Sequence, residues 1–335
     1  MSDPPSPPPP QTGDDPAAPS PQTGDDPAAP SPRAGEDLAT TDDTLLGGRV
    51  RYRQPARGYR VGLEAPLLAA FALPARHKPP RALVDLAAGP GAVALCLAQR
   101  LPEARLLLVE RDPFHAALAR ENLGQNGHEG RSEVFQRDAH RSEEALGRGV
   151  AELVVSNPPW FDRGGGQPSA QGETREASRG LESQGFVPFC RTARQLMGRG
   201  GRFCMAAPAS ALVAVLAALA EAGLVAKRIR WLHARSTAPA QVFFVDARVG
   251  RPGGLVVEAP WSVRDEGEDY TPEIQALLWG HPLASASAVG CGCGLRLRTA
   301  ASAGGEGHSS SAGGEGHSSS SRAPTLAGSG WPRRR

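Results

Sequence analysis

Between residues 81 and 249 the chain alternates short, continuously apolar runs with longer runs of helical periodicity. RALVDL (81–86), RLLLVE (105–110), SEVFQRD (132–138), AELVVSN (151–157) and GRFCMAA (201–207) predict five strands. An apolar run with little alternation suits a strand covered on both faces. VALCLAQRL (93–101) and residues 112–127, 186–198 and 209–223 predict the helices between them. The second of these carries its own punctuation, with Asp112 as N-cap, Pro113 in the first turn and Gly127 as the stop. AKRIRWLHA (226–234) and AQVFFVDARV (240–249) leave no room for a helix between them, so an antiparallel hairpin is expected there. Strand–helix alternation followed by a hairpin predicts an α/β fold: a Rossmann-like, seven-stranded sheet, parallel except for its last hairpin, with helices on both faces.

Composition confines that fold to the middle of the chain. Residues 1–40 carry seven acids and one Arg, and repeat QTGDDPAAPSP at 11–21 and 22–32. Residues 281–335 repeat SAGGEGHSS at 302–310 and 311–319 and end on three arginines. Neither stretch holds enough large apolar residues to offset the entropy of ordering it. The expected organisation is a disordered leader (1–40), one folded domain (41–280) and a disordered tail (281–335). Five cysteines, three of them in apolar runs, predict buried reduced thiols. Cys291-Gly-Cys293 lacks the second pair that a metal site needs, so no metal is expected. No apolar run reaches 18 residues and no charged leader precedes an apolar stretch. A cytoplasmic monomer without a membrane segment is expected.

The first strand runs into DLAAGPGAVAL (85–95). Gly89 and Gly91 in a strand-to-helix turn let the backbone approach a ligand closely. Glu110, at the end of the next strand, is placed to accept the two hydroxyls of a ribose. NAD and S-adenosylmethionine both put a ribose there, but the dinucleotide pattern needs a third glycine and a cradle for its pyrophosphate. S-adenosylmethionine has no phosphate to cradle, so the missing glycine favours it. The expected cofactor-binding residues are Asp85, Gly89, Gly91, Glu110, Asp138 and Asn157. Asp138 would accept the adenine amino group, unless it serves only as a helix cap.

The fourth strand stops at Asn157-Pro158-Pro159-Trp160. Proline has no amide hydrogen for a sheet ladder, so the chain is held stiff at the strand's carboxyl end, where open α/β sheets bind ligands. An amide side chain, a fixed carbonyl and an aromatic face suit a flat, amino-bearing group. If the Asn157 oxygen and the Pro158 carbonyl each accept one N–H, the lone pair of an adenine amine is directed at a methyl donor. Trp160 would stack on the flipped base, which is worth roughly 1–3 kcal/mol. Arg49, Arg51, Arg53, Arg57 and Arg60 fall in an acid-free stretch with Tyr52 and Tyr59 among them. If RVRYR (49–53) is extended, its three arginines share one face and could follow a phosphate backbone. Lys227, Arg228 and Arg230 could extend that patch.

NPPW resembles the N-P-P-aromatic signature of amino-group methyltransferases, whose fold has this element order. TLLGGRVRYRQPARGYRVGLEAPLLAAF (44–71) resembles the segment that precedes the cofactor domain in bacterial tRNA adenine-N6 methyltransferases acting at position 37 of a valine tRNA. Gln54, Pro55, Gly58, Tyr59, Arg60 and Glu64 are the matching positions, and the resemblance covers about residues 44–275. It implies S-adenosylmethionine as cofactor, a tRNA partner, and a segment over 44–71 that covers the cofactor pocket. It also implies that Asn157, Pro158 and Trp160 hold the target base. Ala87 and Ala88 stand where that family usually has Gly and often Cys, and Glu64 where Asp is commoner. Three other readings stay open: a glutamine-N5 methyltransferase of release factors, an rRNA guanine-N2 methyltransferase, and a degenerate fold that only binds RNA.

Overall fold

The computed structural model describes residues 39–57, 60–73, 78–158, 185–250 and 253–281. The expected disordered ends, apart from Ala39, Thr40 and His281, lie outside these residues, as do Cys291 and Cys293; Thr40 instead opens the first strand. The described chain opens with a hairpin of β1 (Thr40–Leu45) and β2 (Val50–Pro55), followed by α1 (Glu64–Ala72). Then come β3 (Ala82–Leu86), α2 (Ala92–Ala98), β4 (Arg105–Glu110), α3 (Pro113–Gln125) and β5 (Ser132–Gln136). After α4 (Glu143–Leu146) come β6 (Ala151–Ser156), α5 (Val187–Leu196), β7 (Met197–Pro208) and α6 (Leu212–Glu221). The remainder is β8 (Val225–Arg235), β9 (Ala240–Arg248), β10 (Val256–Val257), β11 (Trp261–Arg264) and α7 (Pro272–Leu278).

The main sheet has the order β10–β8–β9–β7–β6–β3–β4–β5, and β11 also pairs with the outer edge of β8. Pairing is parallel from β5 through to β7, and β9 is antiparallel to both β7 and β8. The seven expected strands are β3 to β9, in the expected order. Continuous apolar runs form them because each strand feeds two cores. Leu83, Leu106 and Leu108 enter the cluster beneath α1, α2 and α7, while Val84, Leu86, Leu107 and Val109 enter the one beneath α5 and α6. The sheet exceeds the expected seven strands by β10 and β11. Their few residues, two and four, are too short to show a period.

Helix α3 starts as expected: Asp112 Oδ1 accepts the His115 N–H at 2.8 Å, and Pro113 occupies the first turn. Helix α5 ends at Leu196, two residues early, because β7 begins at once with Met197 opposite Ala151. The register then jumps to Leu153 opposite Arg202, so the glycine-rich residues between form an irregularity within the strand.

Helix α1 is apolar on every side and buried from Ala65 to Ala72. Its last carbonyls, which a helix cannot satisfy internally, accept from two arginines. Arg202 Nη2 reaches the Ala72 oxygen at 2.7 Å and Arg228 Nη2 the Phe71 oxygen at 2.6 Å. Both arginines pair with the fully buried Asp246, at 3.2 and 3.4 Å. This corrects the expectation that Arg228 and Arg230 extend an RNA patch. Arg228 packs over Phe71, and Arg230 packs over Trp261 while pairing with Glu258 at 2.8 Å. A guanidinium carries enough donors to close a helix end and bind a carboxylate at once.

Candidate active site

Strand β3 delivers the chain to a turn, residues 87–91, that leads into α2. Ala87 adopts a left-handed backbone with φ +56°, a conformation costing roughly 1–2 kcal/mol for a residue with a Cβ. The turn is held from β4 and α3. Ala88 N–H donates to the Val109 carbonyl at 3.0 Å, Gly89 N–H to Glu110 Oε2 at 2.8 Å, and Asn122 Nδ2 to the Pro90 carbonyl at 2.9 Å. Its two glycines serve different ends. A Cβ on Gly91 would stand 3.1 Å from Leu108 Cδ2, so this glycine allows packing against β4. A Cβ on Gly89 would meet nothing within 4 Å, so this glycine leaves open space above the backbone.

Two carboxyl groups flank the turn. Asp85 is buried; its Oδ2 accepts the Ala94 N–H at 3.0 Å, and its Oδ1 is buried with no hydrogen-bond partner among the described residues. Burial pushes its pKa up to about 8, against the Ala94 hydrogen bond and with the help of the Glu110 charge. Glu110 closes β4 with Oε2 on Gly89 N–H and Oε1 on Asp112 N–H at 2.9 Å. Each carboxylate oxygen has a second lone pair, so these bonds leave capacity for a ribose. An orphaned acid oxygen, an acid at the next strand's end and an open glycine face fit a cationic, ribose-bearing cofactor. Asp138 caps the short turn after β5, with Oδ1 accepting the His140 N–H at 2.8 Å. That is the helix-cap role weighed above, and it occupies one of its two oxygens.

Strand β6 ends beside the same turn. Ser156 pairs with Leu86 across the sheet, and its buried Oγ donates to the Leu86 carbonyl at 2.7 Å. Asn157 therefore leaves β6 where Ala87 leaves β3, with Pro158 buried behind it. Pro159 and Trp160, expected to complete the elbow, lie outside the described residues, as do Gly58 and Tyr59.

The 44–71 segment is built around Asp43. Its Oδ2 accepts from Gln54 Nε2 and Arg60 Nη2, both at 2.8 Å, and the Thr41 hydroxyl donates to it at 2.9 Å. Burial acts to raise this carboxyl, but the Gln54 and Thr41 hydrogen bonds and the Arg60 charge outweigh it and hold it low. Gln54 Oε1 in turn accepts the Val61 N–H at 2.9 Å. At the start of α1, burial pushes the Glu64 carboxyl up, opposed only by its own backbone N–H.

Along β2 and the turn residue before it the expected alternation is present: Val50, Tyr52 and Gln54 are buried while Arg49, in the turn, and Arg51 are exposed and Arg53 is half-buried. Arg53 is held by Asp42 at 2.8 Å and by Glu121, and Arg60 belongs to the Asp43 cluster. Arg49, Arg51 and Arg57 form no ion pair among the described residues. Neither Asp42 nor Asp43 entered the sequence reading, although the hairpin places Asp42 directly opposite Arg53. Asn122 and Asn126 were missed as well; their signal is a four-residue spacing on one face of α3. The thiols of Cys96, Cys190 and Cys204 are free and buried, and burial pushes each up to about 12.

A family model for the methyltransferase small domain matches residues 67–197. A tRNA1(Val) (adenine(37)-N6)-methyltransferase of Porphyromonas gingivalis is 33% identical over 152 residues, 44% of this chain and 58% of the relative. The protein of that name from Klebsiella pneumoniae is 35% identical over 150 residues, again 44% and 58%. The one from Bacteroides thetaiotaomicron is 30% identical over 173 residues, 50% of this chain and 68% of the relative. The chain thus spans 58% of the length of the first relatives it matches. A crystal structure of a predicted O-methyltransferase from Agrobacterium tumefaciens superposes with a TM-score of 0.52 at 26% identity. It covers 66% of this chain and 97% of its own, and places the sheet among Rossmann-like methyltransferases. With sheet order and relatives in agreement, the chain belongs to the family of the tRNA1(Val) (adenine(37)-N6)-methyltransferases.

Proposed function

We propose that this protein uses S-adenosylmethionine to methylate the N6 amine of an adenine in tRNA, at anticodon-loop position 37. The observation that carries the reading is the Ser156–Leu86 bond, which locks the elbow at Asn157 beside the turn at Ala87. An acceptor held at the one is adjacent to a donor held at the other. When bound, S-adenosylmethionine supplies a methyl group already made electrophilic by its sulfonium. Asp85 with the open Gly89 backbone, and Glu110 at the end of β4, are the groups of this chain that hold it.

The chain's task is then to prepare a poor nucleophile. Asn157 Oδ1 and the Pro158 carbonyl accept the two N–H bonds of the amine, drawing its lone pair out of conjugation with the ring. Acceptors held in place before the base arrives keep reorganisation during the reaction small. Trp160 stacks on the flipped base. Extruding a base from a loop costs a few kcal/mol, which one stack largely offsets. Arg49, Arg51 and Arg57 contact phosphates, and Arg53 and Arg60 join them by exchanging their acids for RNA. The Arg53–Asp42 pair is largely exposed, and such a pair is worth only about 0–1 kcal/mol, so its exchange is cheap; Arg60 would have to leave the half-buried Asp43 cluster, which costs more.

Labelled cofactor supplied in parallel to unmodified tRNA, a release factor and ribosomal RNA tests the reading. Label on tRNA is the expected result, with Asn157→Ala slowing transfer about 10²–10³-fold at nearly unchanged cofactor affinity. Label on the release factor alone would replace the RNA reading with glutamine methylation.

A further inference from the structure

Asn122 of α3 and Asn126, the residue that caps its carboxyl end, grip strand β2 in the manner of a neighbouring strand. Asn126 Oδ1 accepts the Arg51 N–H at 3.0 Å, and its Nδ2 donates to the Arg51 carbonyl at 2.7 Å. Asn122 repeats the arrangement one helical turn earlier. Its Oδ1 accepts the Arg53 N–H at 2.7 Å and its Nδ2 donates to the Arg53 carbonyl at 2.8 Å. The two differ in one respect. The second Nδ2 hydrogen of Asn122 goes to the Pro90 carbonyl at 2.9 Å, between Gly89 and Gly91, whereas that of Asn126 goes back to the Asn122 carbonyl at 2.7 Å. Asn122 is fully buried, and Gln125 Nε2 also donates to its Oδ1, at 2.6 Å. No hydrogen-bonding capacity of its amide is left over. One side chain thus ties the arginine strand to the cofactor turn.

We infer that Asn122 is a positioning residue through which RNA on β2 and cofactor at the turn strengthen each other's binding. The inference rests on the function proposed above. A buried amide with every donor and acceptor engaged cannot follow a shift of Arg53 without disturbing its bond to Pro90. A ligand that fixes either segment therefore lowers the ordering cost the other ligand meets, which is positive coupling. By linkage the coupling is the same in both directions.

Calorimetry on the full chain, titrating S-adenosylhomocysteine with and without unmodified tRNA, measures this without any methyl transfer. Wild-type protein should bind S-adenosylhomocysteine at least about fivefold more tightly with tRNA present. Asn122→Ala should bring that factor close to one. Asn126→Ala, which gives up the same two bonds to β2 but no bond to Pro90, should keep most of it. Equal loss of coupling in both variants would reduce Asn122 to a strand anchor and overturn the inference. Should Asn122→Ala fail to fold, amide exchange in the wild-type protein replaces it. S-adenosylhomocysteine alone should then slow exchange of the Arg53 N–H and leave that of Arg51 unchanged; identical responses overturn the inference. Wild-type protein that binds both ligands with a coupling near one sinks the inference alone. Wild-type protein that binds S-adenosylhomocysteine but no tRNA sinks the RNA reading, and the inference with it.

Discussion

Asp85 has one oxygen on the Ala94 N–H and the other buried without a donor among the described residues, and it keeps its proton in the folded state up to about pH 8. An unfolded chain releases that proton near its ordinary value of 3.8. Between these two values the folded state binds more protons, so this group's contribution to stability is full below about pH 4 and is lost as pH rises to about 8. Asp85→Asn keeps an oxygen for Ala94 and cannot ionise. At pH 8.5 its melting temperature should exceed that of the wild type by roughly 10 °C or more, at about 2–4 °C per kcal/mol, while at pH 4 the two should agree. The same variant should bind S-adenosylmethionine weakly, because an orphaned oxygen that can carry charge is what a cationic ligand needs. A melting difference that does not change with pH would show Asp85 already ionised. Asp85 and Glu110 were legible in the sequence, since each stands at the end of an apolar run. Asn122 was not, because its partner Arg53 lies 69 residues away and nothing local marks it as bonded.

At the scale of elements, strand β2 and helix α1 show where a charge pattern can mislead. Five arginines in a row of exposed or turn positions read as one basic face, yet the hairpin brings the acids of β1 alongside and sorts them into two kinds. Arg49→Gln and Arg51→Gln remove cations with no ion pair among the described residues. Each should weaken tRNA binding and lower the slope of log affinity against log salt by up to about one, with no change in melting temperature. A filter-binding series across salt concentrations checks this, and an unchanged slope in the double variant would remove β2 from the RNA surface. The cations on β7 and β8 behave oppositely. Asp246→Ala would strand Arg202 and Arg228 in the core without their shared carboxylate, a loss of about 3–5 kcal/mol for a broken buried pair. Chemical denaturation should show it directly. The alternation of Arg228, Arg230 and Leu232 along β8 resembles an exposed polar face, and only the packing of α1 and β11 against that strand makes it an interior one.

For the molecule as a whole, the central strands were legible because burial on both faces writes itself into sequence as unbroken apolar runs, as in Leu106 to Val109. The outer edge was not, because β10 and β11 draw their pairing from β8 rather than from a pattern of their own. The described part of the chain closes on α7. Thr271 caps it, with Oγ1 accepting the Ile274 N–H at 3.4 Å, and Ile274, Leu277 and Leu278 are buried against the core beneath α1. Just beyond, the Trp279 ring lies so close to the β1–β2 turn that a Cβ on Gly47 would stand 2.8 Å from its Cε3. The last described carbonyl, that of His281, accepts from Arg100 Nη2 at 3.1 Å. Truncation after His281 removes none of these contacts and should leave the melting temperature and S-adenosylhomocysteine affinity nearly unchanged. Truncation after Gly267 removes all of them. With three buried aliphatic side chains at about 1.5–3 kcal/mol each, it should cost on the order of 5 kcal/mol and lower the melting temperature by roughly 10 °C or more. The hairpin that carries Arg49 and Arg51 loses its support from Trp279 in the same cut, so residual folded protein should also bind tRNA less well. A large loss on truncation after His281 would instead place part of the core in residues 282–335.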